Sequence, residues 1–177
     1  MLLKACVNGS RTPDEHPALP VTPAEIAAAA AGAVAAGVGA LHVHPKDAGG
    51  ADTLDASAVA AVLDAVRAAV PDTPVGVTTG AWASADRAAA VRDWTVLPDF
   101  ASVNWHEPGS VSLAEDLLAR GVGVEAGLWT VEAVRAWLAW PARDRTLRVL
   151  LEVMGDPADA GPLVDALGCP GVPVLSI

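Results

Sequence analysis

The chain has 177 residues, 53% of them apolar, and its 21 acidic against 11 basic side chains leave a net charge of −10. That length suits a single domain spanning residues 1–177 with a real core, and the charge speaks against nucleic acid, whose phosphates require a basic stripe. No uninterrupted apolar window of ~18 residues suggests a membrane span, the lysine-interrupted start Met1–Cys6 does not read as a signal peptide, and the widely separated Cys6 and Cys169 imply a reducing cytoplasm rather than a disulfide framework.

In chain order, short apolar runs predict strands at Leu2–Val7, Ala40–His44, Val75–Thr78, Ala101–Asn104, Val122–Ala126, Leu147–Val153 and Val172–Ile177. Alanine-rich stretches near 23–37, 55–70, 84–93, 112–120, 130–139 and 157–167 predict helices between them. Near-continuous apolar strands alternating with helices of this length mean βαβ units and a parallel sheet covered on both faces. Thr22-Pro23-Ala24-Glu25 offers an N-cap, a proline at the first helical position and a capping-box glutamate. Ser112-Leu113-Ala114-Glu115 repeats the box without proline, and Asp156-Pro157 supplies a further cap. The repeat points to a TIM-type (β/α)8 barrel whose eighth strand is missing from this chain. Such a barrel is expected either to be closed by a partner chain or to be a truncated form, and its unpaired edges favour a homo-oligomer. A doubly wound open sheet is the alternative fold, though no Gly-x-Gly-x-x-Gly run follows the first strand.

Parallel α/β folds place their chemistry beyond the carboxyl ends of the strands. His42 and His44 lie two residues apart on the second strand, so both imidazoles face the same way and can reach one ion. Asn8 and Arg11 follow the first strand in a connection of about fourteen residues, long enough to suggest function; Arg11 suits an anionic group. Lys46 and Asp47 follow the second strand, and Thr78, Thr79 and Gly80 follow the third with hydroxyls and a glycine where backbone can approach a ligand. Asn104, Trp105, His106 and Glu107 end the fourth. Glu125 and Glu152 sit inside apolar runs, where a carboxylate is costly unless it is coordinated or paired, for instance with Arg148. Trp82, Trp105 and Trp129 each fall just past a strand and either form an aromatic wall around the mouth or cap the core.

Cys6-Val7-Asn8-Gly9, Val21–Ala27, Gly37–Asp47 and Thr78-Thr79-Gly80 occur in this order. Together they resemble the β-keto acid cleavage enzyme family, which includes 3-keto-5-aminohexanoate cleavage enzyme. The resemblance implies a TIM barrel that binds a divalent metal, usually zinc, and exchanges acyl groups: a β-keto acid and acetyl-CoA give acetoacetate and a new acyl-CoA. It places metal ligands on His42 and His44, a hydroxyl contact on Thr78, a cleavage-site contact on Asn104 and a substrate-positioning acid on Glu125. From their own places in the chain, Asn8, Arg11, Thr79, Gly80, Trp105 and Glu152 are the expected substrate contacts. The family's third protein ligand, a glutamate beside an aspartate after an arginine, has no matching run here; Glu125, Glu152, His106 or Glu107 would have to substitute. A metal-dependent aldolase acting on a small oxo acid, and a non-catalytic barrel that binds metal or a partner subunit, are the two other expectations.

Overall fold

The computed structural model describes residues 2–153, 155, 156, 158 and 160–168. Its strands are β1 (Lys4–Cys6), β2 (Ala40–Val43), β3 (Val75–Thr78), β4 (Phe100–Asn104), β5 (Gly123–Leu128) and β6 (Arg148–Leu151), and they stand in one sheet in chain order. The helices α1 (Pro23–Ala35), α2 (Ala56–Ala69), α3 (Arg87–Asp93), α4 (Ser110–Ala119), α5 (Val131–Ala139) and α6 (Ala160–Leu167) alternate with them. Successive strands with a helix after each are the (β/α) arrangement of a TIM barrel. The expected strand at Val172–Ile177 lies outside the described residues. The chain folds as two compact units, Met1–Ala101 and Ser102–Ile177.

In the first unit β1, β2 and β3 pair in parallel, with Cys6 opposite His42 and His42 opposite Gly76. Leu41 and Val43 point away from the histidine face and are fully buried, as are Val75 and Val77. Ile26 and Ala30 of α1 and Val59, Leu63 and Val66 of α2 are buried with them, and the two helices pack on each other. The other face is filled differently. A Cβ on Gly76 would lie 2.0 Å from the ring of Phe100, so the missing side chain is what lets this buried ring lie against β3.

The capping box of α1 is present in full: the Thr22 hydroxyl accepts from the Glu25 N–H, and the Glu25 carboxylate accepts from the Thr22 N–H. Three helix starts differ from expectation, one of them that of α6, which begins at Ala160 rather than near 157. α3 begins at Arg87 rather than near 84, because Asp86 accepts from the Ala89 N–H and so takes the N-cap position. α4 begins at Ser110, two residues before the expected cap, because Gly109 adopts the left-handed conformation (φ 77°) and turns the chain into the helix there. Ser112 therefore makes no capping box; its hydroxyl donates to the Gly109 carbonyl, and Glu115 instead accepts from the Trp140 indole.

The second unit pairs β5 and β6 in parallel, with Glu125 opposite Arg148 and Gly127 opposite Leu150. Val124, Ala126 and Leu128 are fully buried on one face of β5, which leaves Glu125 and Gly127 on the other. β6 ends at Leu151, so Glu152 lies just past the strand rather than inside it.

Candidate functional site

The first unit gathers its polar side chains where β1, β2 and β3 end. β2 stops at Val43 because the next backbone groups leave the ladder: the His44 N–H donates to Asn8 Oδ1 (2.9 Å), and Asn8 Nδ2 donates to the His44 carbonyl (2.8 Å). Asn8 thus clamps the backbone that carries the histidine, with a further bond to the Pro20 carbonyl. His42 and His44 are both buried, their rings edge to face and their Nε2 atoms 3.2 Å apart. Burial holds His42 well below the usual imidazole range, with the charges of His44 and Lys4 pushing the same way and Asp52 opposing them. A neutral imidazole is the form that ligates a metal.

Beyond His44 the chain makes a tight reversal. Asp47 Oδ1 accepts from the N–H groups of Gly49 and Ala51, and Lys46 and Asp52 pair across the turn in an antiparallel bridge. Gly50, at φ 83°, has Pro13 against its α-carbon, so a Cβ there would lie 2.6 Å from the proline ring. The reversal returns Asp52 to the histidines. Its Oδ2 accepts from His44 Nδ1 (2.7 Å) and from Trp82 Nε1 (2.7 Å), and its Oδ1 accepts from Lys46 Nζ (2.5 Å). Burial alone would raise the Asp52 pKa, but the hydrogen bond and charge of His44 and the bonds from Lys46 and Trp82 hold it below the ordinary carboxylate range. Lys46 also donates to the carbonyls of Gly9 (2.9 Å) and Arg11 (2.7 Å), tying the β1 loop to the same point. The Arg11 residue itself is exposed.

After β3, Thr78 and Thr79 are buried, the Thr78 hydroxyl accepts from the Gly80 N–H, and the Thr79 carbonyl accepts from Arg87. At Gly80, where backbone is expected to approach a ligand, a Cβ would lie 2.4 Å from the Trp82 indole.

In the second unit Asn104 ends β4 and donates through Nδ2 to Glu107 Oε1 (3.0 Å), both buried. That bond turns Asn104 Oδ1 toward Gly127, where a Cβ would meet it at 2.7 Å and would lie 3.5 Å from Glu152 Oε1. Glu125 is fully buried with Arg148 Nε 3.3 Å from its Oε1, the pairing that the cost of a bare carboxylate anticipates. The three tryptophans diverge in role. Trp105 is buried against Trp140, ring centroids 5.2 Å apart; Trp129 carries the exposed His106 at 4.7 Å; Trp82 is half-exposed in the first unit.

The histidine pair fits a divalent metal as two ligands. Tetrahedral coordination at ~2.0–2.1 Å puts neighbouring nitrogens about 3.3 Å apart, against the 3.2 Å observed. Among the described residues no group of three His, Cys, Asp or Glu side chains is arranged to hold an ion. Asp52 has no place in the expected site. Its signal in the sequence is the reversal: Asp47-Ala48-Gly49-Gly50 is a turn run, and the residues flanking it are Lys46 and Asp52.

A family model for the beta-keto acid cleavage enzyme matches residues 1–141. The chain belongs to that family. No curated protein matches it. Among solved structures it is similar to a binary complex of ObcA with oxaloacetate (TM-score 0.62, 18% identity, covering 81% of this chain and 40% of that one). It is similar also to a ternary complex of ObcA with C4-CoA adduct and oxalate (0.61, 19%, 80% and 39%). A third is the 3-dehydroquinate dehydratase from Aquifex aeolicus VF5 (0.60, 12%, 100% and 79%). At these identities the likeness is one of fold, and it bears out the TIM-type (β/α) class. The chain spans about two-fifths of the length of ObcA. Family membership bears out the resemblance carried by the His-x-His strand, and the match, like the quoted motifs, is concentrated in the first five βα repeats.

Proposed function

We propose that the chain acts as a β-keto acid cleavage enzyme, exchanging acyl groups between a β-keto acid and acetyl-CoA to release acetoacetate and an acyl-CoA. The observation that carries this reading is the buried His42–His44 pair with its Nε2 atoms 3.2 Å apart, in a chain of this family. The ObcA structures, which hold oxaloacetate in one case and a C4-CoA adduct with oxalate in another, support an oxo acid and a CoA thioester as the substrate classes.

In this reading His42 and His44 would hold a zinc ion. When bound, zinc supplies Lewis-acid polarisation of a keto oxygen. The chain's own residues supply the rest. Burial keeps His42 neutral, and Asn8 fixes the backbone of His44 from both its N–H and its carbonyl. Arg11, Thr78, Thr79 and Gly80 are the proposed substrate contacts of the first unit, Arg11 offering a cation to the acid's carboxylate. In the second unit Asn104, oriented by Glu107, is the proposed contact at the cleaved bond, Glu125 the positioning acid, and Trp105 and Glu152 further contacts. Self-association is part of the same reading, motivated by the half-exposed Leu2 and Leu3 beside β1, the first strand of the sheet; light scattering giving the mass of one chain would remove it.

The test is zinc content by elemental analysis together with acetoacetate release. The chain is expected to hold zinc and to release acetoacetate from a β-keto acid only when acetyl-CoA is present, and His42→Ala with His44→Ala to lose both. Undiminished zinc in the double variant would overturn the metal site. Cleavage that needs no acetyl-CoA would favour an aldolase.

A further inference from the structure

Asp52 has no part in the reaction proposed above, yet it is the point at which the site's loops meet. Its side chain is 2% exposed, and its two oxygens accept from three donors: His44 Nδ1, Trp82 Nε1 and Lys46 Nζ. These donors come from the end of β2, the loop after β3 and the reversal itself, and Lys46 extends the set to the carbonyls of Gly9 and Arg11 after β1. A buried carboxylate is tolerated here because three donors meet its two oxygens.

We propose that Asp52 is a positioning residue, which fixes His44 in its Nδ1–H tautomer with the Nε2 lone pair turned toward His42 and ties the loops after β1 and β3 to that imidazole.

An ionised carboxylate only accepts hydrogen bonds, so the His44 nitrogen 2.7 Å away must carry the proton. A neutral imidazole has one N–H, which leaves Nε2 as a bare lone pair. That is the atom 3.2 Å from His42 Nε2, the place where an ion shared by the two rings would sit. The consequence for zinc rests on the metal reading above; the tautomer does not. Replacing Asp52 with asparagine separates them. The amide keeps one oxygen, which stays with the Lys46 ammonium, and its NH2 takes the place of Oδ2, so the Trp82 indole loses its acceptor and His44 faces a donor. Nδ1 must then accept, the proton moves to Nε2, and the ligating lone pair is lost.

The experiment uses the full 177-residue chain, labelled with 15N and freed of metal, at a pH where the imidazoles are neutral. The sequence has four histidines, so a His44→Gln variant assigns the signal of His44. Long-range 1H–15N correlation is expected to show His44 protonated at Nδ1 in the native chain and at Nε2 in Asp52→Asn. Zinc affinity by chelator competition is expected to fall 10–100-fold in Asp52→Asn, the range typical for losing an outer-shell partner. Trp82→Phe, which leaves the His44–Asp52 bond intact, should keep the native tautomer and stay within a few-fold of native affinity. Protonation of native His44 at Nε2 would overturn the proposal, as would an Asp52→Asn variant with unchanged tautomer and affinity. If Asp52→Asn fails to fold by circular dichroism, the native tautomer alone decides. If the native chain takes up no zinc, the metal reading falls while the tautomer measurement still judges Asp52.

Discussion

Gly76 shows how much a single absent side chain settles. It lies opposite His42 across β2 and β3, and the ring of Phe100 occupies the space a Cβ would need, 2.0 Å from it. Alanine at Gly76 forces either the ring or the strand to move, and overpacking of this kind costs about 1–3 kcal/mol. Urea denaturation of Gly76→Ala is expected to show that loss; an unchanged midpoint would mean the ring does not sit where it is placed. Asn8 teaches a related lesson. The residue type suits a substrate contact, but its amide is committed to the His44 backbone and the Pro20 carbonyl. Glu125 was more legible, because an unpaired carboxylate in an apolar strand is costly enough to demand a partner, and Arg148 in the next strand is the one it meets.

At the scale of elements, the helix starts were readable wherever the cap is a side chain and unreadable where it is a backbone conformation. Thr22 and Glu25 announce α1, whereas Gly109 starts α4 through a left-handed φ that leaves only a glycine as its trace. The caps also set a pH dependence. The Glu25 carboxylate is lowered by the Thr22 N–H, the Thr22 hydroxyl and the Val21 N–H, and that of Asp55 by the Ser57 hydroxyl and the N–H groups of Ala58 and Ser57. Both pKa values are depressed on folding, so the stabilisation is complete above the unfolded carboxylate range and is lost as pH falls through the folded values. Thermal melts are expected to show stability falling on the acid side of that range. The Glu25→Gln, Asp55→Asn double variant should start less stable at neutral pH and lose less on acidification; an equally steep loss would assign the acid sensitivity to other groups. The strand ends were the least legible. β2 closes at Val43 because Asn8, thirty-six residues away, takes over the hydrogen bonds of His44, and no local pattern encodes a partner at that distance.

For the whole molecule, the alternation of strand and helix and the parallel pairing were legible from continuous apolar runs alone, since strands buried on both faces need no polar alternation. The hub at Asp52 was not, because it depends on a side chain returned by a turn rather than on any periodicity. None of the helices among the described residues is long and apolar enough to cross a membrane. With a net charge of −10 the chain should repel polyanions, so it is expected to pass unretained through a heparin column at neutral pH and ~0.1 M salt. Retention would reveal a basic surface that the composition conceals.

Lys46 carries one more implication. The chain has two lysines, Lys4 and Lys46, and the side chain of Lys46 is fully buried with its ammonium committed to Asp52 and two backbone carbonyls. An amine attacks a thioester only when it can reach the carbonyl carbon, and the buried Lys46 side chain has its nitrogen turned to its own three acceptors. A protein proposed to handle activated acyl groups therefore has one of its two lysine amines sheltered by burial. The contacts that hold the reversal also shelter its amine.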